Sequence, residues 1–197
     1  MGELFENKYR IESARLKGWD YGSEGAYFIT ICTKDRAHFF GECVNGKMKL
    51  STMGAIVQGC WYDIPAHFPH IALGAFVTMP NHIHGILVLD KSLREQNRGD
   101  NGDDDDVETL HATSLPPTNA PAFYQAISPD AGSIPTVIRS FKSACTKHIR
   151  ETFPQQNFGW QERFWDNIIR NEASWDRIRN YIVTNPANWN KDKFFDQ

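Results

Sequence analysis

The chain has 197 residues, 41% apolar and 13% aromatic, which predicts one domain spanning residues 1–197 and excludes a wholly disordered protein. No segment approaches the roughly 18 apolar residues of a membrane-spanning helix, and the charged N-terminus lacks the apolar region of a secretory signal. The four cysteines lie far apart without a CxxC pair, so we expect a cytoplasmic protein without a zinc ribbon or disulfide framework. The net charge of −3 is the sum of one acidic region and a mildly basic remainder.

Apolar periodicity predicts four strands and three helices. Their alternation predicts an α+β sandwich, with an antiparallel-rich sheet and helices packed on one side. In chain order they are a strand at 27–33, a helix at 50–68 interrupted at Pro65, a hairpin of strands at 71–78 and 82–89, a helix at 134–152, a strand at 164–170 and a helix at 171–184 that ends before Pro186.

The segment at residues 90–133 has nine acids and three bases, a local charge of −6 that leaves +3 in the rest of the chain. It is rich in Asp, Asn, Gly, Ser and Pro without apolar periodicity, so we expect a flexible insertion. Two interpretations remain open: a solvated spacer, or an acidic flap that competes with nucleic acid for a basic groove. The mildly basic remainder is compatible with a polyanionic partner.

Two histidines alternate along the predicted strand at 82–89. His82 and His84 would point to the same face while Ile83 enters the core, because successive side chains of a strand alternate. Two neighbouring imidazoles form half of a divalent-metal site if oxygen ligands complete it. An isolated HxH pattern is also compatible with two core histidines.

The last predicted helix carries an apolar stripe of Trp175, Ile178 and Ile182 that should pack on the sheet. Tyr181 and Asn185 lie one turn apart beside this stripe. Two interpretations are open. Tyr181 is a tyrosine at the border of the core, or it is a nucleophilic phenol and Asn185 directs its amide oxygen at a metal. A phenol with a pKa of about 10 needs help from a metal or nearby cations at neutral pH.

Four segments together resemble the REP-associated tyrosine transposases, a group of the single-tyrosine HUH transposases. The resemblance extends over nearly the whole chain except the acidic insertion and the first twenty or so residues. Its most specific feature is the HIH strand combined with a downstream tyrosine helix. The four segments are YFITICTKDR, MPNHIHGIL, RSFKSACTKHI and WQERFWDNIIRNEASWDRIRNYIVTNPANW.

The resemblance implies a ferredoxin-like HUH fold and a role for each matching residue. His82 and His84 would ligate Mg²⁺ or Mn²⁺, Tyr181 would be the nucleophile, and Asn185 would be a third, amide ligand, although asparagine is one methylene shorter than the glutamine common in relatives. The implied reaction is metal-dependent cleavage and rejoining of single-stranded or hairpin DNA through a 5′-phosphotyrosine. The partner would be such DNA, with a monomer or homodimer as the active form.

Further basic residues would contact DNA phosphates. The main alternative function is a catalytically silent protein that binds structured DNA in regulation or genome architecture, whereas a replication initiator or relaxase fits poorly with the short chain. The DNA sequence, the occurrence of true transposition and the choice between attack in cis and in trans are not determined by the sequence. The predicted phosphate contacts are Arg139, Lys142, Arg163, Arg170 and Arg177.

Overall fold

The computed structural model describes residues 20–93 and 132–195, so the predicted acidic insertion lies outside the described residues except at its two ends. Within these ranges the chain forms six strands and four helices. They are β1 (Gly25–Cys32), β2 (Gly41–Val44), β3 (Lys47–Leu50), α1 (Thr52–Tyr62), α2 (Ile64–His67), β4 (Ile71–Met79), β5 (His82–Leu89), α3 (Ile134–Thr152), β6 (Trp165–Ile169) and α4 (Glu172–Thr184), with 3₁₀ turns at Lys34–Arg36 and Asn185–Lys191.

Four strands form one antiparallel sheet in the order β4-β5-β1-β6. The helix α1 lies between β1 and β4 in the chain, and α3 lies between β5 and β6, which is the β-α-β-β-α-β order of a ferredoxin-like fold. The predicted α+β class with an antiparallel sheet is therefore confirmed. No helix among the described residues has the length and apolarity required to cross a bilayer.

The main core lies between one face of the sheet and the helices α1 and α3. Strand residues such as Ile29, Ile83 and Leu87 are fully buried there, together with Trp61 of α1 and Phe141 of α3. The Trp61 and Phe141 rings meet edge to face, with centroids 5.4 Å apart. This packing holds both helices on the same side of the sheet, as the sequence predicts.

The helix α4 packs on the opposite face of the sheet. Its stripe of Trp175, Ile178 and Ile182 contacts Ile86 of β5 and Val77 of β4, as the helical periodicity predicts. The Asn171 side chain caps the first turn by accepting a hydrogen bond from the Ser174 backbone N–H at 2.9 Å. The sheet therefore has two covered faces, and α4 is separated from α1 and α3.

Two parts of the predicted element order need correction. A second hairpin, β2 and β3, was not predicted, although its Asn45-Gly46 turn is a strong hairpin signal because both residues have positive φ (50° and 73°). The predicted helix at 50–68 is two helices, α1 and α2, that meet at Asp63, and Pro65 lies in the first turn of the second one.

Gly85 leaves the space that the Trp61 indole occupies. A Cβ atom at Gly85 would overlap the indole ring, so we expect Gly85→Ala to lower the free energy of unfolding by about 1–3 kcal/mol through overpacking. The control is Gly59→Ala in α1, where nothing lies within 4 Å of the added Cβ and stability should rise by up to about 1 kcal/mol. Chemical denaturation measures both, and equal stabilities would contradict this packing.

Candidate metal and nucleophile site

The histidines of β5 face α4 and are buried. His82 is 0% and His84 is 1% exposed, whereas Ile83 between them lies in the main core. The two Nε2 atoms lie 3.0 Å apart. The strand thus brings two imidazole nitrogens together on the face that the sequence predicts.

The two Nδ1 atoms are each held by a neighbouring polar side chain. The Asn81 amide donates from Nδ2 to the Phe194 carbonyl at 2.9 Å, which directs its Oδ1 to accept from His82 Nδ1 at 2.8 Å. The lone pair of His82 therefore lies on Nε2. His84 Nδ1 is 2.8 Å from the Thr30 hydroxyl, which serves as either donor or acceptor. Such contacts fix the rotation of a metal-ligating imidazole.

Burial keeps both imidazoles neutral. It lowers the pKa of His82 to about 3, with a further contribution from the nearby cations Lys193 and Arg36. Burial also lowers the pKa of His84 well below its usual range, and the neighbouring His82 adds to this effect. A metal binds neutral imidazole, so the pair is in the correct protonation state at neutral pH.

Tyr181 reaches this pair from α4. Its Oη atom is 3.2 Å from His84 Nε2 and donates to Asp192 Oδ2 at 3.2 Å. Its ring meets Phe28 of β1 edge to face, and the residue keeps 39% of its surface exposed. Burial, followed by the negative charge of Asp192, raises the pKa of Tyr181 to about 12. The phenol is therefore protonated at neutral pH.

Asp192 is a functional candidate that the sequence analysis missed. It follows the 3₁₀ turn Asn185–Lys191, which returns the chain to the sheet, and its Oδ1 accepts from the Phe194 N–H at 2.8 Å. One ligand atom from each of Asp192, His82 and His84 lies within 4.8 Å of the others. No motif spacing marks this aspartate, because its position depends on the 3₁₀ turn and not on the periodicity of an α-helix or a strand.

Asn185 lies at the edge of the same cluster. It is buried, and its Nδ2 donates to Asp192 Oδ2 at 2.8 Å, while its Oδ1 is buried without a hydrogen-bond partner. An orphaned buried amide oxygen costs free energy unless a ligand satisfies it. The sequence-predicted amide is therefore brought to the site, with its nitrogen rather than its oxygen turned to the aspartate.

The donor set fits a divalent cation. Adjacent ligands of an octahedral ion with bonds of about 2.1 Å lie about 3.0 Å apart, which equals the 3.0 Å between the two Nε2 atoms. Imidazole nitrogens combined with a carboxylate and an amide oxygen suit divalent metals of intermediate hardness such as Mn²⁺. The residues that could hold the ion are His82, His84, Asp192 and, after rotation of its amide, Asn185.

The C-terminal segment covers the histidines. The Phe194 ring lies on the His82 ring with centroids 4.6 Å apart, and the centroid of the Trp189 ring is 5.9 Å from that of His82. Phe194 is itself buried. The Nε2 atoms are therefore closed from solvent by residues 192–195 and by Tyr181.

The five predicted phosphate-contacting residues are spread over both sides of the sheet. Arg177 lies on α4 one turn before Tyr181, whereas the exposed Arg163 and Arg170 flank β6. Arg139 and Lys142 lie on α3, which packs on the other face of the sheet. The Lys142 ammonium donates to two backbone carbonyls, those of Gln161 at 2.7 Å and Glu162 at 3.1 Å. Of these five residues, only Arg177 lies on the same helix as Tyr181.

Comparisons with known proteins give one relative at substantial sequence identity. No protein-family model matches the chain. An uncharacterized protein of Haemophilus influenzae is 36% identical over 183 residues, which cover 93% of this chain and 92% of that protein. A solved REP-associated tyrosine transposase bound to a REP hairpin aligns with 98% of this chain and 77% of its own, at 19% identity and a TM-score of 0.49. A candidate transposase from Deinococcus radiodurans aligns with 86% of this chain and 96% of its own, at 16% identity and a TM-score of 0.44.

Metal binding can be measured without DNA. We expect one Mn²⁺ ion to bind the full chain in a titration followed by electron paramagnetic resonance. His84→Ala and Asp192→Asn should each weaken binding by at least about tenfold, because the first removes a ligand atom and the second removes the negative charge of a ligand. The control His148→Ala removes an exposed imidazole on α3 and should leave the affinity unchanged. Equal affinities in all four proteins would rule out this cluster as the metal site.

Proposed function

We propose that this chain, which belongs to one family with the 36%-identical protein of Haemophilus influenzae, is a DNA strand nuclease and transferase of the single-tyrosine HUH type. The observation that carries the proposal is the 3.2 Å distance between the Tyr181 hydroxyl and His84 Nε2. A nucleophile beside a pair of side chains that can hold a metal is an arrangement suited to attack on a phosphodiester.

In this proposal His82, His84, Asp192 and Asn185 hold Mg²⁺ or Mn²⁺. The bound ion would supply positive charge against the non-bridging oxygens of the scissile phosphate, which otherwise repel an incoming nucleophile. The imidazoles contribute by remaining neutral, and Asn81 and Thr30 contribute by holding their Nδ1 atoms. The predicted DNA contact at Arg177 would add a cation on the same side of α4 as the tyrosine.

Tyr181 acts as the nucleophile. Its Oη forms a bond to the phosphorus of the DNA backbone while the bond from phosphorus to the 3′-oxygen breaks, which leaves a 5′-phosphotyrosine and a 3′-oxygen that takes up the proton lost by the phenol to become a free hydroxyl. The phenol must lose its proton during attack, because its pKa is raised to about 12. Asp192 Oδ2 accepts the hydrogen bond of that phenol, so the carboxylate that would help to hold the ion is also the group we assign to take the proton. Attack by another 3′-hydroxyl reverses the step and rejoins the strand.

The substrate follows from access to the site. A phosphate can approach the two Nε2 atoms only after residues 192–195 move, since both imidazoles are at most 1% exposed. A phosphate can reach buried imidazoles more easily from an unpaired strand than from a duplex, which supports single-stranded or hairpin DNA. The motif resemblance to the REP-associated transposases favours the hairpin.

A second candidate function is a catalytically silent protein that binds structured DNA. The burial of both histidines, with the Phe194 ring on His82, favours this function. A protein in which this site stays closed would bind DNA on another surface without cutting it. Such a protein would bind a hairpin with salt-dependent affinity and be indifferent to changes at Tyr181. The organisation of residues 1–197 as one domain, the cytoplasmic location and the monomeric or dimeric state remain predictions under either function.

Covalent adduct formation tests the proposal. Incubation of the full chain with labelled hairpin oligonucleotides, taken from DNA that flanks the gene, and with Mn²⁺ should give a protein–DNA adduct resistant to denaturing electrophoresis. Tyr181→Phe should give no detectable adduct, because the attacking oxygen is gone. The control Tyr62→Phe changes an exposed tyrosine of α1 and should give the wild-type yield.

The outcomes separate the two functions. Mass spectrometry should assign the nucleotide mass to the peptide that contains Tyr181. A wild-type protein that cleaves the hairpin without an adduct would contradict the tyrosine mechanism. Binding without cleavage, equal in wild type and Tyr181→Phe, would instead establish the silent DNA-binding protein.

A further inference from the structure

The helix α4 covers only part of its face of the sheet. It packs mainly against β4 and β5, whereas two side chains of the edge strand β6 on this face, Trp165 and Asn167, are exposed. Trp165 is 56% exposed, which is unusual for a residue of this size. An open strip of sheet thus lies beside the tyrosine.

The strand register connects this strip to the histidines. Thr30 of β1 pairs with His84 on one side and with Trp165 on the other. Directly opposed residues of antiparallel strands project from the same face. His84, Thr30 and Trp165 therefore form one row across the sheet, with the backbones of Trp165 and His84 two strand spacings, about 10 Å, apart.

The side of α4 that carries Tyr181 has one basic residue, Arg177. Arg177 lies one turn before Tyr181 on this side of the helix, and its guanidinium contacts the Ser174 hydroxyl at 3.5 Å. The two acidic residues of α4, Glu172 and Asp176, lie on the other side by the helical periodicity. An exposed indole and an arginine on the same side of the sheet supply the two features of single-strand binding sites, a stacking surface and a cation for the backbone.

We propose that Trp165 stacks on an unpaired nucleobase of the DNA strand and that Arg177 contacts the adjoining phosphate, so that the strand reaches Tyr181 across β6 and β1. This inference rests on the proposed function, because it names how the substrate enters that site. The occupant is single-stranded DNA rather than duplex, since a stacked base must leave its own helix. Indole stacking accepts any base, so Trp165 contributes affinity and position but little sequence selectivity.

A cycle that combines protein and DNA changes tests the stacking. The protein carries Tyr181→Phe, which prevents cleavage, and binding to a hairpin with a single-stranded extension is followed by fluorescence anisotropy. Replacing one unpaired nucleotide by an abasic residue at the stacked position should weaken binding about tenfold, and so should Trp165→Ala. The two changes together should cost little more than either one, because both remove the same contact.

Matched variants separate stacking from a general loss of structure. Trp165→Phe keeps an aromatic face and should retain most of the affinity, whereas Tyr62→Ala removes an exposed ring on α1 and should change nothing. Two results would overturn the proposal. One is that the losses of affinity from Trp165→Ala and from an abasic residue add up at every unpaired position, and the other is that Trp165→Ala binds with wild-type affinity. If wild-type protein forms adducts while the cycle shows no coupling, this inference fails and the proposed function stands. If the cycle shows coupling but the wild type forms no adduct, the stacking inference stands and the proposed function fails.

Discussion

A series of buried hydrogen bonds that starts on strand β1 and runs along strand β5 holds the site together. Thr30 of β1 contacts His84 of β5 at 2.8 Å, His84 contacts His82 on the same strand at 3.0 Å, and Asn81 in the preceding turn ends the series at 2.8 Å. Buried polar groups are tolerated only when they are satisfied, so this series constrains the pairing of the two strands. A slip of one residue would turn both histidines into the apolar core that Ile83 occupies.

The same series also anchors the end of the described chain. The Asn81 amide donates to the Phe194 carbonyl, and the Asp192 carboxylate accepts from Asn185 and from the Phe194 N–H. The turn between β4 and β5 is thereby tied to a segment 113 residues later in the chain. Fixing this segment brings a carboxylate to the imidazoles and closes them from water, so the feature that would complete the proposed metal site also limits access to it.

Periodicity in the sequence was sufficient to predict most of the fold and the core of the site. Alternation along β5 predicted that His82 and His84 share a face, and the stripe on α4 predicted that Tyr181 lies beside the contact with the sheet. Both are local patterns that depend on one element each. The hairpin of β2 and β3 also had a local signal, the Asn45-Gly46 turn, which the sequence analysis overlooked.

The remaining features depend on contacts between distant segments. Asp192 reaches the site only because the Asn185–Lys191 turn reverses the chain. The row from His84 to Trp165 depends on the pairing of β1 with β6, segments more than 130 residues apart whose register no single-strand pattern specifies. For the same reason the sequence could group five basic residues as phosphate contacts but could not separate Arg177 from Arg139 and Lys142, which lie on the helix of the opposite face.

The most direct test is anomalous diffraction from crystals of the full chain soaked in Mn²⁺. It shows whether His82, His84, Asp192 and Tyr181 meet around one metal ion. We expect a single strong peak within about 2.5 Å of both histidine Nε2 atoms, with the Asp192 carboxylate turned toward it and the Tyr181 hydroxyl beside it. A peak elsewhere on the chain, or a Tyr181 ring turned away from the two imidazoles, would contradict this expectation.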